Sequence, residues 1–282
     1  MKQIGHMPTH IEWQQCTKHV LLKTGIKMYY MEAGDPEKEP LILIHGFSDS
    51  SRIWRSVMEE LQDSFHMYAI DLRGFGQSDQ PAQYLYTMYQ HCEDVVAFME
   101  AMQIESADMI GHSLGSMVAQ VIAFAAPEKV RRVVLVSTAL RRHETAREVK
   151  EFVNSFSNMD WQNAEDKVLQ QMMLPSPEKC YDPQFAAGYL MTLRGLSGKS
   201  LCAGKLGMMI YDGRNFMQFI TAPVMVVWGT EDDIFTEECQ TEVHEYLPEA
   251  RYLSMEGIPH DIPSVAPLEL VEAVKNFMSS SR

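Results

Sequence analysis

The most regular feature of the chain is a series of short, strand-like apolar runs separated by longer stretches with helical spacing. Apolar runs without alternation are typical of strands covered on both faces, as in a parallel sheet flanked by helices. The alternation of such strands with helices predicts an α/β fold with a mostly parallel, doubly wound sheet. We place the strands at residues 41–44, 66–70, 107–110, 133–136 and 224–228, and the helices between them at 54–61, 88–102 and 117–126.

Both ends of the chain add strands to this sheet. Residues 11–22 and 26–31 read as two strands joined by a turn, which predicts an antiparallel pair. After the strand at 224–228 the pattern predicts a helix, a last short strand at 251–255 and a closing amphipathic helix at 268–278. The prediction is therefore one eight-stranded sheet.

The alternation of strands and helices breaks down between residues 139 and 218. This segment is helical in outline, at 144–156, 161–173 and 184–193, and glycines loosen its second half. It holds ten basic and nine acidic residues, whereas the whole chain has a net charge of −14. A near-neutral helical insert between the sixth and seventh strands predicts a lid over an active site. We therefore expect a core domain formed by residues 1–138 and 219–282, with a lid at 139–218.

Composition excludes several classes of protein. The net charge of −14 argues against a nucleic-acid partner or an anionic membrane surface. Five cysteines lie far apart without a Cys-x-x-Cys pair, which predicts reduced thiols rather than a disulfide framework or a zinc site. The N-terminal residues lack the apolar segment of a signal peptide, and no apolar run reaches the length of a membrane span. We expect a cytoplasmic protein without a membrane span, a metal or a cofactor.

The sequence Gly111-His112-Ser113-Leu114-Gly115 stands between a predicted strand and a predicted helix. Strand, sharp turn and helix are the context that a nucleophile elbow of the form Gly-x-Ser-x-Gly requires. A serine at the tip of so tight a turn has a strained backbone, and the residues two positions away must lack side chains so that strand and helix approach closely. Gly111 and Gly115 meet that need, and Ser113 lies at a helix N-terminus, where negative charge is stabilised.

Four further motifs follow other predicted strands. They are His45-Gly46-Phe47, Asp71-Leu72-Arg73-Gly74-Phe75-Gly76-Gln77-Ser78-Asp79, Gly229-Thr230-Glu231-Asp232, and His260. Together with the elbow, and in this order along the chain, these motifs resemble the α/β-hydrolase superfamily. The chain is similar to its lidded serine hydrolases, such as esterases, cofactor-free haloperoxidases and enol-lactonases. The resemblance covers the whole chain except the insert.

The resemblance implies a catalytic triad in the chain order serine, acid, histidine. Ser113 attacks the substrate, His260 acts as general base and then as general acid, and Asp232 orients the imidazole and stabilises its charged form. Asp233 is adjacent to Asp232, and the family spacing after the strand-ending glycine favours Asp232 as the acid. His260 is the one histidine between the last predicted strand and the last predicted helix.

The resemblance also implies an oxyanion hole made by the backbone amides of Phe47 and Leu114. No metal ligands are expected, since the histidines lack the spacing of a zinc site. Candidate substrate-binding residues, taken from the motifs, the insert and the loop after Asp232, are Phe47, His112, Trp161, Met172, Tyr189 and Ile234.

A serine nucleophile excludes the relatives that use a carboxylate, namely haloalkane dehalogenases and epoxide hydrolases. Serine points to acyl transfer, and we expect a carboxylic ester hydrolase that acts as a monomer or homodimer on small-molecule esters. The insert shows no cluster of Arg or Lys, although Arg194 or Arg214 could serve singly, so neutral, apolar esters of small to medium size are expected. Two alternatives stay open. One is a perhydrolase or carbon–carbon hydrolase on the same triad, and the other is a ligand receptor with slow turnover.

Overall fold

The computed structural model describes residues 15–81, 86–165 and 183–279. Its centre is one eight-stranded sheet in the order β1-β2-β4-β3-β5-β6-β7-β8. The first two strands pair antiparallel, β2 is antiparallel to β4, and all other neighbours are parallel. The predicted mostly parallel eight-stranded sheet is therefore confirmed. The strands are β1 (Lys18–Leu21), β2 (Lys27–Ala33), β3 (Pro40–Ile44), β4 (His66–Ile70), β5 (Ala107–His112), β6 (Val130–Val136), β7 (Val224–Gly229) and β8 (Arg251–Met255).

Helices cover both faces of this sheet. One hydrophobic cluster takes in Ile42 and Ile44 of β3, and a second cluster takes in Leu41 and Leu43. Successive residues of β3 thus point into opposite layers, which is why the strand reads as a continuous apolar run. The helices are α1 (Arg55–Leu61), α2 (Met88–Ala101), α3 (Leu114–Ala125), α4 (Ala146–Phe156), α5 (Pro183–Arg194), α6 (Gly198–Met209), α7 (Glu237–Tyr246), α8 (Ile262–Val265) and α9 (Pro267–Ser279), with short 3₁₀ turns such as Ser51–Trp54.

Two predicted elements differ from the structure. The first strand was expected from residue 11, but β1 begins at Lys18, and residues 15–16 form part of a helical turn. The helix expected at 161–173 is a turn over its first residues, and 166–173 lie outside the described residues. None of the described helices is long and apolar enough to cross a membrane.

The segment between β6 and β7 is helical where it is described, and α6 is its most instructive element. The glycines of α6 were expected to loosen this region, yet they lie inside a regular helix. A Cβ on Gly204 would lie 2.8 Å from the Phe75 ring and 3.1 Å from the Phe47 ring. A Cβ on Gly207 would lie 2.0 Å from the Tyr86 carbonyl oxygen. These glycines therefore let α6 pack closely against the core beside Phe47, which outweighs their intrinsic cost of about 1 kcal/mol each in a helix.

Candidate active site

Ser113 lies in the turn between β5 and α3 with φ of 53° and ψ of −118°. A positive φ in a residue with a Cβ costs of order 1–3 kcal/mol, so the surrounding structure must hold it in place. A Cβ on Gly111 would lie 2.3 Å from the Gly115 carbonyl oxygen, and a Cβ on Gly115 would lie 2.2 Å from the Ile44 carbonyl oxygen. Both positions therefore require glycine, and their absence of side chains brings the first turn of α3 against the ends of β3 and β5.

Asp232 and His260 form a buried pair. The His260 Nδ1 lies 2.8 Å from Asp232 Oδ2, and both side chains are almost fully buried. The other carboxylate oxygen of Asp232 accepts the backbone N–H groups of Ile234 at 2.9 Å and Phe235 at 2.8 Å. Burial raises the pKa of Asp232, but His260 and the two N–H groups outweigh it, so the pKa lies below its ordinary value. The carboxylate is therefore ionised, and the imidazole tautomer that matches this contact carries its proton on Nδ1 and has Nε2 as its acceptor nitrogen. Asp233 is exposed.

The backbone of His260 is tied to the strand ends on either side of Ser113. Its carbonyl oxygen accepts a hydrogen bond from Ser137 Oγ at 2.7 Å and one from His112 Nε2 at 3.0 Å. The Ser113 N–H donates to the Val136 carbonyl oxygen at 2.9 Å. The Ser113 hydroxyl itself forms no hydrogen bond with the described residues.

The loop after β3 runs directly beside Ser113. A Cβ on Gly46 would lie 2.9 Å from His112 Nδ1 and 3.2 Å from Ser113 Cβ. Within the described residues, neither the Phe47 N–H nor the Leu114 N–H donates a hydrogen bond to the protein. The Phe47 N–H and the Leu114 N–H are thus two backbone donors that the described residues leave free, in the loop and in the helix that flank Ser113.

Two histidines of these motifs are buried and neutral. His45 Nε2 accepts the Leu72 N–H at 3.0 Å, so its Nδ1–H donates to the Gly46 carbonyl oxygen at 2.7 Å. Burial lowers the pKa of His45 to about 4 and that of His112 to about 3. Their hydrogen bonds hold the loop after β3 and the His260 carbonyl, so their contacts are those of backbone-positioning residues rather than of pocket-lining ones.

Tyr189 connects the insert to the loop after β3. Its hydroxyl donates to Ser48 Oγ at 2.9 Å, because the Ser48 hydroxyl hydrogen is used on the Phe47 carbonyl oxygen at 2.6 Å. Ser48 has φ of 60°, so the loop turns sharply at this residue. Tyr189 is 7% exposed. This residue was predicted to contact substrate, and the structure gives it a hydrogen bond that fastens α5 to the loop carrying Phe47.

The other predicted pocket residues have different surroundings. Phe47 is half-buried, with its ring near the Phe75 ring. Trp161 is 2% exposed and stacks on Phe156 with ring centroids 5.5 Å apart, inside the insert. The Ile234 side chain is 45% exposed, and its backbone rather than its side chain reaches Asp232. Met172 lies outside the described residues.

Arg142, Glu144 and Lys205 form an ion triplet that the sequence analysis missed. Arg142 Nε donates to Glu144 Oε2 at 2.8 Å, while Arg142 Nη2 and Lys205 Nζ both donate to Glu144 Oε1. The Arg142 guanidinium lies 5.1 Å from the centre of the Phe235 ring, and Lys205 Nζ lies 5.4 Å from the centre of the Phe152 ring. The expectation that the insert lacks clustered cations is therefore wrong.

The two cations suggested singly by the sequence have partners elsewhere. Arg214 pairs with Asp212, and Arg194 Nη1 donates to the Gln162 carbonyl oxygen at 2.8 Å. Across residues 15–81, 86–165 and 183–279, no group of three His, Cys, Asp or Glu side chains is arranged to hold a metal ion.

The family model described as alpha/beta hydrolase fold matches residues 39–179, half of the chain. The chain belongs to the alpha/beta hydrolase fold family. This alpha/beta hydrolase is 24% identical over 264 residues to the uncharacterized hydrolase YugF of Bacillus subtilis, covering 90% of this chain and 95% of that protein. It is 25% identical over 264 residues to Lipase 3 of a Moraxella species, covering 92% of this chain and 81% of the lipase.

Among solved structures, the alpha/beta hydrolase is similar to an enol-lactonase from Burkholderia xenovorans. The TM-score is 0.84 at 20% sequence identity, covering 93% of this chain and 100% of the enol-lactonase. Identity at that level shows the shared fold. The relatives together support a hydrolase, and they include Lipase 3 and also Lipase 1 of Psychrobacter immobilis, to which the chain is 27% identical over 276 residues, covering 93% of this chain and 84% of that protein.

Proposed function

We propose that this alpha/beta hydrolase cleaves carboxylic esters through an acyl-enzyme on Ser113. The observation that carries the proposal is the buried Asp232–His260 pair, whose 2.8 Å contact uses Nδ1 and so leaves Nε2 as a base. The His260 backbone is fastened to the strand ends beside Ser113. A carboxylate, an imidazole and a serine at an elbow form the group that acyl transfer requires.

In the proposed reaction, Ser113 Oγ adds to the ester carbonyl carbon while His260 Nε2 takes the hydroxyl proton. Collapse of the tetrahedral intermediate breaks the carbon–oxygen bond, and the imidazolium gives its proton to the departing alcohol. Water then adds to the acyl-enzyme with His260 again as base, and the second collapse releases the carboxylic acid and restores Ser113. Asp232 stays ionised throughout and stabilises the imidazolium formed in each half of the reaction.

The negative charge of each intermediate is assigned to the amides of Phe47 and Leu114. Both N–H groups lack a protein acceptor among the described residues. Gly46 brings the loop within contact of Ser113, since a Cβ there would lie 3.2 Å from Ser113 Cβ. Backbone donors need no reorganisation during the reaction, and one such donor is worth about 2.7–4 kcal/mol of transition-state stabilisation.

We propose that residues 139–218 act as a lid on a core formed by residues 1–138 and 219–282. The contact of α6 with Phe47 and the hydrogen bond from Tyr189 to Ser48 support this role. Aromatic rings stand near both halves of the site, with Phe152 beside Phe47 and Phe235 beside His260. These surroundings favour an apolar group next to the scissile ester, in a substrate of small to medium size.

Active-site labelling tests the assignment of Ser113. A fluorophosphonate should modify one serine per chain, and the mass increase should fall on the peptide that contains Ser113. Ser113→Ala should abolish both labelling and hydrolysis of p-nitrophenyl butyrate, while Ser155→Ala, on the exposed face of α4, should retain both. Labelling that persists in Ser113→Ala would refute the assignment. Faster turnover of carbon–carbon substrates, or of peroxide, than of simple esters would favour the alternative reactions of the same triad.

A further inference from the structure

Among the described residues, the ion triplet sets two cations against one partly buried carboxylate. The Glu148 carboxylate also acts on Lys205, but it is exposed, so water screens its charge. Glu144 is shared by two cations, and within the described residues the hydrogen bonds of both cations all go to this one carboxylate. Burial raises the pKa of Glu144, but Arg142 and Lys205 outweigh it and lower the pKa to about 2, so the carboxylate is ionised under ordinary conditions. Other ion pairs of the insert, such as Arg147 with Glu151, match one positive charge with one negative charge.

The ion triplet lies near residues of the candidate active site, with one aromatic ring between each cation and such a residue. Arg142 stands over the Phe235 ring, whose centre lies 5.3 Å from that of the His260 ring. Lys205 stands over the Phe152 ring, whose centre lies 6.2 Å from that of the Phe47 ring. Each cation is therefore one aromatic ring away from a group assigned to the reaction.

Both cations keep donors for a further ligand. Arg142 uses Nε and Nη2 on Glu144, which leaves Nη1, and Lys205 uses one of its three N–H bonds. Their side chains are 14% and 13% exposed, so they are largely desolvated but not sealed from the surroundings. A carboxylate there would form charge-assisted hydrogen bonds in a poorly solvated place, where such bonds are strong.

We propose that Arg142 and Lys205 bind a carboxylate that the substrate carries at the end remote from the scissile ester. This inference rests on the proposed function and narrows its substrate class to half-esters of dicarboxylic acids and related anionic acyl groups. The apolar part of the acyl chain lies along Phe152 and Phe235, and the terminal carboxylate reaches the excess positive charge. Glu144 keeps the two cations together but also competes with the substrate carboxylate for them.

A purely structural role for the ion triplet makes a different prediction. Arg142 precedes α4 and Lys205 lies on α6, so Glu144 joins two distant parts of the insert. If this join were the whole role, removing Glu144 or Lys205 would loosen the insert in the same way, and neutral and anionic esters would lose activity alike. If the cations bind substrate, the two changes act in opposite directions on anionic esters.

The test compares p-nitrophenyl half-esters, from succinate to suberate, with the same esters bearing a terminal carboxamide. We expect the ratio of kcat/KM, carboxylate over carboxamide, to be at least about tenfold at the best chain length, as charge-assisted hydrogen bonds imply. The ratio should fall with added salt. Lys205→Met, which keeps the stem over Phe152, should lower the ratio about tenfold or more, and Glu144→Gln should raise it. Arg147→Met, on an 87% exposed side chain of the insert, is the matched control and should leave it unchanged.

Two results would overturn the inference while the proposed function stands. One is turnover of the carboxamide esters with a wild-type ratio of one or less. The other is an equal shift of both ester classes in Lys205→Met and Glu144→Gln. A binding measurement tests this inference independently of the proposed hydrolysis. In calorimetry with the Ser113→Ala variant, glutarate monoamide should bind, and adding the Lys205→Met substitution should weaken its binding about tenfold. Unchanged binding overturns the inference, whether or not the enzyme hydrolyses esters.

Discussion

Replacing Asp232 with asparagine is the sharpest test of the proposed mechanism, because the structure determines how the new amide must lie. One oxygen of Asp232 accepts two backbone N–H groups, from Ile234 and Phe235. In Asp232→Asn the amide oxygen has to stay there, since an NH₂ group would face two donors. The NH₂ group then faces His260 Nδ1, which must become an acceptor. The imidazole is thereby held with its proton on Nε2, where it cannot accept the proton of Ser113.

The expected loss follows from two contributions. An imidazolium and a carboxylate with charge centres about 4 Å apart attract each other by about 4 kcal/mol at an effective dielectric constant of about 20. Restoring the productive tautomer also breaks the new amide–imidazole hydrogen bond, which costs about 1 kcal/mol. Together these amount to about 5 kcal/mol of transition-state stabilisation, and at about 1.4 kcal/mol per factor of ten they predict a decrease in kcat of about three to four orders of magnitude.

The assay is the kcat for p-nitrophenyl butyrate at neutral pH, with the melting temperature of each variant as the check on folding. Asp233→Asn is the matched control, because this neighbouring carboxylate is exposed. We expect it to change kcat by less than about twofold. The reasoning is refuted if Asp232→Asn retains more than about a tenth of the wild-type kcat. It is equally refuted if Asp233→Asn lowers kcat more than Asp232→Asn does, because Asp233 would then be the acid that pairs with His260.

Three further predictions concern stability. Burial raises the pKa of Asp49 to about 7, so the folded state favours the protonated carboxyl. The resulting contribution to the free energy of unfolding is present below about pH 4 and is lost as the pH rises to about 7. Asp49→Asn should remove that loss, as measured by thermal melts across this pH range. Burial lowers the pKa of His91 to about 3, so the folded state favours the neutral imidazole. The resulting contribution to the free energy of unfolding is present above about pH 6.5 and is lost on acidification, at up to about 1.4 kcal/mol per pH unit. His91→Phe should therefore reduce the decrease of stability with falling pH, and an unchanged dependence of stability on pH would contradict this. A Cβ at residue 115 would lie 2.2 Å from the Ile44 carbonyl oxygen, so Gly115→Ala should lower the free energy of unfolding by about 3 kcal/mol or more, and a wild-type denaturant midpoint would disprove the close packing.

The fold could be predicted because its signals are local. The side chains of Leu41 to Ile44 alternate between two apolar layers, one on each face of the sheet. A strand buried on both faces is therefore an uninterrupted hydrophobic run in the sequence. Element ends were less predictable. The helix after the elbow begins at Leu114 rather than Met117, because its first turn is stabilised by packing against the end of β3 and not by the propensities of its residues.

The structure brings Asp232 and His260 together as the sequence motifs predicted, because parallel strands end at the same edge of a sheet and carry their loops with them. The ion triplet had no such signal. Whether Arg142 meets Lys205 depends on how the insert folds back on itself, and neither residue stands in a recognisable local pattern. Gly204 was misjudged for a related reason, since its value lies in a contact with the Phe47 ring that is distant in sequence.

The hydrogen bond from Tyr189 to Ser48 has a consequence for the timing of catalysis. Ser48 in turn holds the carbonyl of Phe47, whose N–H is assigned to the oxyanion. Any displacement of α5 that parts it from this loop must break that hydrogen bond, and Ser48 then keeps only its own hydrogen bond to the Phe47 carbonyl oxygen. Under the lid role proposed for the insert, α5 supports the loop that carries the oxyanion donor only while the two are packed together. Substrate entry and turnover would then alternate rather than coincide.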